Sequence, residues 1–254
     1  MAGRWPARLW LVRHGQSAGN VARDAALRED LHRIALDGRD MDVPLSALGR
    51  RQAHALGDWF SRLPETERPD ALLSSPYRRA LQTAQLFREA GGAAGQEPIC
   101  ADERLREKEF GILDGLTAAG IAQSFPDQAE YRRLLGKFYH RPPGGESWCD
   151  VILRLRSVLD TVSLHYAGRR VMIVCHQVVV LCLRYVIEHL DEAAILKIDA
   201  EARVGNCSLT EYRFDPGVGA LGGLSLVRYN DESALVLEGE PRTDAPDPMM
   251  AVRG

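Results

Sequence analysis

The pattern of apolar and polar residues alternates between short apolar runs, typical of buried strands, and longer stretches in which apolar residues recur at helical spacing. The apolar runs predict five strands, at residues 9–12, 71–73, 171–174, 208–214 and 224–229. The helical stretches cover residues 47–63, 76–88, 127–137, 146–165 and 177–190. Because strands and helices alternate along the chain, we expect an α/β fold, a three-layer α/β/α sandwich around a mainly parallel sheet.

Polar residues and a proline predict where three of the helices begin. Ser46 is a candidate N-cap for the first helix, and Ser75 followed by Pro76 resembles an N-cap with proline in the first helical position. Asp127 with Glu130 resembles a capping box. These signals favour helix starts close to residues 47, 76 and 127.

Two segments do not fit this alternation. Residues 21–40 are charged and only roughly periodic, and we interpret them as a helical insertion that forms a lid over a site. Residues 239–254 are proline-rich and predict a flexible tail. Since the 254 residues contain no repeat and no linker, we expect one domain over residues 1–254, with its core at about 8–230.

Charge and composition narrow the classes of partner and compartment. The 32 basic and 35 acidic residues give a net charge of −3, which does not favour binding to nucleic acid or to an anionic membrane. The first apolar run ends at Arg13 and is too short for a secretory signal or a membrane span. Five cysteines without a CxxC pair are typical of reduced thiols, so we expect a cytoplasmic protein.

Candidate chemistry lies where predicted strands end. His14 and His176 directly follow two of the strands, and Arg79 enters the first turn of the helix after a third. A lone histidine after a strand is more often a hydrogen-bonded filler. In open α/β sheets, however, ligands bind beyond the carboxyl ends of the strands, and helix N-termini favour anions. Two histidines together with Arg79 and Arg13 therefore predict an oxyanion-binding cradle at one sheet edge.

These residues also carry a family resemblance. The chain resembles the histidine phosphatase superfamily, also called phosphoglycerate mutase-like, over roughly residues 8–190. The motifs are Arg13-His14-Gly15-Gln16-Ser17 with Asn20, Ser74-Ser75-Pro76 leading to Arg79-Ala80 and Gln82-Thr83, residues 105–115 (LREKEFGILDG), Gly145-Glu146-Ser147, and His176. The resemblance implies that His14 is the nucleophile, that Arg13, Arg79 and His176 bind the phosphoryl group, that Glu107 is the proton donor, and that Ser17 and Asn20 bind substrate.

General chemistry explains why these residue types suit phosphoryl transfer. Histidine can form a covalent intermediate, and fixed positive charge stabilises a phosphoryl group in transfer. One carboxyl group can protonate the leaving alkoxide and later accept a proton from water. Glu107 and Glu109 lie two residues apart, so an extended segment would point both to one side, and the resemblance favours Glu107. Helical geometry lets only one of Arg78 and Arg79 face the phosphate, and the resemblance favours Arg79.

The sequence contains no HExxH motif, no CxxC cluster and no acidic magnesium pair, so we expect no metal and no other cofactor. We also expect acid pH to inactivate the protein by protonating His14, because an imidazolium has no lone pair for attack.

The substrate is less well defined by the sequence. Cys175-His176-Gln177 and Gly145-Glu146-Ser147 most resemble the bisphosphatase domain of the fructose-2,6-bisphosphate enzymes and bacterial phosphatases. That resemblance implies that Gln177, Arg133 and Lys137 hold a sugar phosphate. Arg133 and Lys137 lie four residues apart, on one face of a helix, although a solvated basic face is an equal alternative. The departures from that family are Ala118 and Leu181, where it has a tyrosine and an arginine, and Trp148.

The prediction is therefore a histidine acid-type phosphatase, a phosphomonoester hydrolase for a small phosphorylated metabolite. A phosphoglycerate mutase is one alternative, but its motifs are absent and residues 138–144 read FYHRPPG. A non-catalytic binding module on the same scaffold is another. Residues 15–19 also fit the GxSxG pattern of serine hydrolases, yet only about eight residues precede the first strand, which argues against that class. The sequence leaves open whether the chain forms a homodimer.

Overall fold

The structure is a computed structural model that describes residues 4–36 and 38–245. Strands in these residues are β1 Arg8–Arg13, β2 Ala71–Ser74, β3 Cys100–Ala101, β4 Arg170–Cys175, β5 Leu209–Asp215 and β6 Gly223–Asp231. The α-helices are α1 Ala18–Arg28, α2 Ala47–Ser61, α3 Arg78–Glu89, α4 Ala118–Ser124, α5 Pro126–Tyr139, α6 Trp148–His165, α7 Gln177–Ile187, α8 Glu192–Glu201 and α9 Ser233–Leu237.

The sheet is mainly parallel, as the alternation of elements predicts. Its strand order is β3-β2-β4-β1-β5-β6. The four strands β1 to β4 run parallel to one another, while β5 runs antiparallel to both β1 and β6. The register pairs Arg13 at the end of β1 with Cys175 at the end of β4, so the residues that follow these two strands emerge side by side.

Helices cover both faces of the sheet. Leu9 and Leu11 point into one hydrophobic core, which α6 and α7 complete. Trp10 and Val12 point into the other core, which α2 and α3 complete. Because successive strand residues face opposite sides, β1 is apolar along its whole length, as expected for a strand buried between two layers. The prediction of a three-layer α/β/α sandwich is confirmed.

Two helix starts illustrate how the capping predictions compare with the structure. Ser46 caps α2, and its hydroxyl accepts a hydrogen bond from Gly49 N at 3.0 Å, as predicted. The helix predicted to begin at Pro76 begins instead at Arg78, with Tyr77 as its N-cap. Ser75 is not a helix cap because its hydroxyl contacts His176 and accepts a hydrogen bond from Tyr77 N.

The predicted capping box at Asp127 is wrong. Helix α5 begins at Pro126 with Phe125 as the N-cap, so Asp127 already lies within the first turn. Proline suits this place, since the first helical N–H needs no partner within the helix. Near its other end, Gly136 has φ 73° and ψ 169°, which interrupts the helix. This break changes the direction of every side chain that follows it.

The segment predicted as a helical insertion is helical only in its first part. Helix α1 starts at Ala18, before residue 21, and Ser17 and Asn20 form its capping box. The described residues between Arg28 and Asp40, which are 29–36, 38 and 39, form no α-helix or strand, and a short 3₁₀ turn follows at Asp40–Asp42. This turn contacts α3. The insertion thus brings an irregular, charged segment to the helix that carries Arg79.

Four elements were not predicted: β3, α4, α8 and α9. Strand β3 has two residues and α9 has five, which is too short to give a periodic signal. Helix α8 buries only Ile195 and Asp199, so its apolar stripe is too narrow to identify from the pattern.

All five cysteines are free thiols. In the described part of the chain, no helix has the length and apolarity needed to cross a membrane.

The last described residues are bound to the fold. Gln52 Nε2 donates to Pro241 O at 2.8 Å, and Asn206 N donates to Thr243 O at 2.8 Å. Ala245 is buried. The flexible tail predicted for residues 239–254 therefore does not describe residues 241–245, which these contacts hold in place. Residues 246–254 lie outside the described residues.

Candidate active site

The two histidines that follow β1 and β4 lie next to each other. The backbone N–H of His14 donates to Cys175 O at 2.9 Å, which continues the pairing of the two strands. The imidazole centroids of His14 and His176 are 5.1 Å apart, with 65° between the ring planes. Both side chains are fully buried. The parallel register therefore sets the distance between the rings through main-chain hydrogen bonds.

Hydrogen bonds determine which nitrogen of His14 has a lone pair. Nδ1 lies 2.7 Å from Gly15 O, and a carbonyl oxygen can only accept, so Nδ1 carries the proton. Nε2 accepts a hydrogen bond from Arg79 Nε at 3.2 Å. Nε2 is therefore the unprotonated nitrogen in this arrangement, and its lone pair faces a guanidinium. This is the tautomer that a nucleophilic histidine requires.

Arg79 lies in the first turn of α3 and is buried, whereas its neighbour Arg78 is exposed, in agreement with the choice of Arg79 made from the family resemblance. The Arg79 guanidinium carbon is 5.0 Å from the centre of the Tyr77 ring. The hydroxyl of Tyr77 donates to Glu109 Oε1 at 2.7 Å. Burial is the largest cause that raises the pKa of Tyr77, and this hydrogen bond is the second, so the phenol stays neutral.

A serine hydroxyl orients His176. His176 Nε2 lies 2.8 Å from Ser75 Oγ, and the Tyr77 ring packs edge-on against the imidazole at 5.2 Å. Ser75 is itself positioned by β2 and β4, since its backbone N–H donates to Val174 O at 2.9 Å. Ser75 was not among the predicted site residues, because the Ser-Pro pair resembled a helix cap.

Glu107 lies at the N-terminus of α7, beside His176. Its carboxylate is buried and accepts from the backbone N–H groups of Lys108 at 2.9 Å and Val178 at 3.3 Å. A helix N-terminus interacts favourably with negative charge. Glu109 is half-exposed and bonded to Tyr77, so the two carboxylates differ in environment, and Glu107 is the one buried next to the histidines.

Arg13 and Asn20 lie in the same buried region. Arg13 Nη1 donates to Val204 O at 2.7 Å, and Nη2 donates to Ala245 O at 2.5 Å. Asn20 Nδ2 donates to Ala245 O at 3.2 Å. Asn206, which was not predicted, donates to the carbonyl of His14 at 2.9 Å. The Ala245 carbonyl thus contacts two side chains that were predicted to bind phosphate or substrate.

The remaining predicted binding residues have different surroundings. Ser17 is buried, and its hydroxyl caps α1 by accepting from Asn20 N at 3.0 Å. Gln177 is buried at the start of α7 directly after His176. Arg133 is exposed and forms an ion pair with Glu130 at 2.7 Å. Of these three, Ser17 and Gln177 are buried in the segments that follow His14 and His176, whereas Arg133 lies at the surface.

The prediction that Arg133 and Lys137 share one helix face is wrong. Gly136 interrupts the helix between them, so spacing of four no longer places the side chains together. Lys137 points inward to an ion pair with Asp199, and its ammonium lies 5.2 Å from the Trp148 ring. Arg133 stays at the surface, as the alternative of a solvated basic face predicts.

Instead, Arg132 lies close to three other basic side chains, and we call the four together the basic wall: Lys108, Arg132, Lys137 and His140. Burial is the largest cause that lowers the pKa of Lys108 to about 8, and the nearby positive charge of Arg132 is the second. The same two causes lower the pKa of His140. Lys108 contacts the face of the Phe110 ring at 4.4 Å. His140 Nε2 is buried without a hydrogen-bond partner among the described residues.

One signal in the sequence could have located the basic wall. The chain has only three lysines among its 32 basic residues, and two of them, Lys108 and Lys137, lie here.

Within residues 4–36 and 38–245, no group of three or more His, Cys, Asp or Glu side chains is arranged to hold a metal ion.

An acidic side chain from the insertion reaches the site. Asp40 accepts two hydrogen bonds from the Arg79 guanidinium, to Oδ1 and Oδ2, each at 3.0 Å. Arg79 Nη1 also donates to the backbone carbonyl of Asp40 at 2.7 Å. The expectation that the insertion lies over the site agrees with these contacts, but Asp40 itself was not predicted.

Comparison with known proteins identifies the relatives of this chain. The family described as "Histidine phosphatase superfamily (branch 1)" matches residues 9–231. A probable phosphoglycerate mutase, GpmB, of Yersinia enterocolitica is 28% identical over 212 residues, which is 82% of this chain and 86% of that protein. The 6-phosphofructo-2-kinase/fructose-2,6-bisphosphatase of Caenorhabditis elegans is 33% identical over 182 residues, 70% of this chain and 33% of that protein.

A solved structure shows the same fold. The mycobacterial glucosyl-3-phosphoglycerate phosphatase Rv2419c, in complex with VO3, has a TM-score of 0.67 and 28% identity, covering 89% of this chain and 99% of that one. The chain spans only 41% of the length of three longer mycobacterial relatives, to which it is 33% identical. The match over residues 9–231 includes every strand of the sheet except the first residue of β1.

Proposed function

The chain belongs to branch 1 of the histidine phosphatase superfamily, and from that premise we propose that it hydrolyses a small phosphomonoester through a phosphohistidine on His14. The observation that carries the proposal is the state of the His14 ring. Gly15 O holds the proton on Nδ1, and Nε2 presents its lone pair beside Arg79. A lone pair next to a cation is the arrangement needed to attack a phosphorus atom whose oxygens carry negative charge.

In the first step, His14 Nε2 attacks phosphorus and the bond from phosphorus to the ester oxygen breaks. Arg79 and His176 donate hydrogen bonds to the phosphoryl oxygens and stabilise the charge in the transition state. Arg13, whose Nη1 and Nη2 donate to the Val204 and Ala245 carbonyls, adds its positive charge. Glu107, in its protonated form, gives its proton to the leaving alkoxide. The products of this step are the alcohol and a phosphohistidine.

In the second step, water attacks the phosphorus and the bond to Nε2 breaks. The Glu107 carboxylate accepts a proton from that water, so inorganic phosphate leaves and both residues return to their starting protonation states. Because one carboxyl group acts first as acid and then as base, the cycle balances without a further proton donor.

We propose a substrate that carries a second anionic group besides the phosphate. The basic wall supports this, since Lys108 directly follows Glu107 and is buried together with His140 at that side of the site. The solved relative is a glucosyl-3-phosphoglycerate phosphatase, and another relative includes a fructose-2,6-bisphosphatase. We extend to this chain the same broad class, sugar phosphates and phosphorylated sugar acids, in preference to phosphoproteins.

A mutase is the second candidate, because the probable phosphoglycerate mutase of Yersinia enterocolitica matches over most of both chains. Both candidates need His14, and they differ in whether water or a second hydroxyl accepts the phosphoryl group. Incubation with a phosphoglycerate separates them, since a hydrolase releases inorganic phosphate and a mutase yields an isomer.

The experiment that tests the proposal measures phosphate release from a panel of sugar phosphates, phosphorylated sugar acids and an aryl phosphate. We expect His14→Ala to lower kcat/KM by at least about 10⁴-fold for every substrate that the wild type cleaves. His54→Ala is the matched control, because His54 is an exposed histidine on α2 that pairs with Asp58. Turnover that survives in His14→Ala at the wild-type rate would refute the proposal.

A further inference from the structure

The Asp40 carboxylate occupies the N–H groups of Arg79 that a phosphoryl group would need. Each carboxylate oxygen accepts a hydrogen bond from a different terminal nitrogen of Arg79. The third donor of the guanidinium, Arg79 Nε, donates to His14 Nε2. A carboxylate that accepts two parallel hydrogen bonds from a guanidinium is a strong, geometrically specific pair. Phosphate oxygens bind guanidinium in the same forked manner, so the Asp40 carboxylate and a phosphoryl group compete for the same N–H groups.

The position of the competing carboxylate is close to the reacting atoms. Arg79 Nε lies 3.2 Å from His14 Nε2, which is the nitrogen proposed to attack phosphorus. With Asp40 in place, Arg79, His14 and His176 have almost no solvent exposure. Asp40 itself is a quarter exposed, so its side chain lies at the outer boundary of the site and has solvent to move into.

The surroundings of Asp40 weaken its hold on Arg79. Asp114 lies near it, and burial followed by the charge of Asp40 raises the pKa of Asp114. The turn that carries Asp40 is three residues long, and an ion pair between Arg39 and Asp42 spans it. Repulsion from Asp114 favours release of the Asp40 carboxylate when another anion reaches Arg79.

We propose that Asp40 is an internal competitor in this site, an acidic side chain that a phosphoryl group must displace from Arg79. The inference rests on the proposed function. Inorganic phosphate gains only the contacts of the phosphoryl pocket, whereas an ester gains further contacts through its leaving group. Asp40 therefore lowers the affinity for free phosphate and for esters by the same factor, and an ester offsets this loss through its further contacts, whereas free phosphate does not.

The competition has a quantitative consequence for binding. The apparent affinity of a ligand falls by the fraction of protein in which its site is available. Removal of the Asp40 charge weakens the forked pair and raises the fraction of molecules in which Arg79 is available, so the affinity for inorganic phosphate rises. We expect about a tenfold gain, which corresponds to a site that is open in about one molecule in ten.

Calorimetric titration of inorganic phosphate into the full chain tests the proposal. We expect Asp40→Asn to bind phosphate about tenfold more tightly than the wild type. Asp114→Asn removes the same charge nearby without removing a hydrogen bond to Arg79, and Asp42→Asn removes it from an exposed pair with Arg39. Equal affinity in Asp40→Asn and wild type overturns the proposal, and so does an equal gain in Asp114→Asn, which would indicate general electrostatics.

Steady-state kinetics on an aryl phosphate provide a second measurement. Asp40→Asn should lower the inhibition constant of inorganic phosphate and the KM by similar factors. Asp40→Ala gives the same test if the asparagine variant does not fold, which thermal unfolding reports. An unchanged inhibition constant in a folded variant overturns the proposal.

The two proposals fail in different ways. If Asp40→Asn binds phosphate more tightly but no ester is hydrolysed, the hydrolase proposal fails and the competition stands. If esters are hydrolysed through His14 but phosphate affinity does not depend on Asp40, only the competition fails.

Discussion

Two regions of the site, the histidine pair and the basic wall, are built on different physical foundations. His14 and His176 follow parallel strands whose main-chain hydrogen bonds fix the distance between the rings. The basic wall depends on side chains at an interrupted helix and on the loop after Glu107, and burial lowers the pKa of Lys108 there. Main-chain pairing fixes the positions of the histidines whether or not a ligand is bound. Burial of the cations costs free energy, and a bound anion would offset part of that cost.

This difference assigns separate tasks to the two regions. Residues around the histidine pair act on the phosphoryl group that every substrate has, so their loss should lower kcat for all esters. Residues of the basic wall act on the rest of the substrate, so their loss should raise KM for some esters and leave others unchanged. Each of the next three predictions tests one side of this division.

Arg79 should give the largest effect. Arg79→Ala removes the cation next to His14 Nε2, and we expect kcat to fall by about 10²–10³-fold, the usual loss when one preorganised donor to a transition-state oxyanion is removed. Arg78→Ala is the control, since Arg78 is the exposed neighbour on the same helix. A loss in Arg78→Ala as large as in Arg79→Ala would contradict the assigned geometry.

Glu107 should give a smaller effect that depends on the leaving group. Glu107→Gln keeps the shape but cannot transfer a proton, so kcat for an alkyl phosphate should fall by about 10²-fold. An aryl phosphate needs less help from an acid, and its loss should be smaller. Glu109→Gln is the matched control, because Glu109 is half-exposed and bonded to Tyr77. Equal losses for the two substrates in Glu107→Gln would count against an acid role.

Lys108 should give the smallest effect and a pH dependence. With a pKa of about 8 instead of 10.5, its amine is charged below pH 8 and neutral above it. The KM of an ester with a second anionic group should therefore rise as pH increases through 8, while the KM of an aryl phosphate should not follow that titration.

Two variants isolate the contribution of Lys108. Lys108→Met should raise the KM of the dianionic ester by about tenfold at pH 7 and abolish the titration near pH 8. Arg133→Ala should change that KM by less than about twofold, because Arg133 is exposed and paired with Glu130. A large effect of Arg133 with none of Lys108 would restore the prediction made from the family resemblance.

The same division separates what the sequence predicts well from what it does not. Apolar runs predict the two strands that His14 and His176 follow. Parallel pairing is the common arrangement when strands alternate with helices. The juxtaposition of His14 and His176 follows from those two facts. Helical rotation lets only one of Arg78 and Arg79 face the phosphate, and the family resemblance selects Arg79.

The basic wall and the contact of Asp40 with Arg79 could not be predicted in that way. A glycine within a helical pattern is usually tolerated, so the spacing gave no sign that Gly136 adopts positive φ and redirects Lys137. Asp40 begins a three-residue 3₁₀ turn, which is too short to show a periodic pattern that relates position to direction. Both features depend on tertiary contacts between segments far apart in the sequence.

The most direct test of the central proposal is to trap the phosphoenzyme. The protein is mixed with a cleavable ester, quenched in base within one turnover, and digested, and the phosphorylated peptide is mapped by mass spectrometry. Phosphorus NMR of that peptide then distinguishes the two ring nitrogens. We predict phosphate on Nε2 of His14, since Nδ1 keeps its proton on Gly15 O. Phosphate on Nδ1, on His176 or on no histidine would contradict the account.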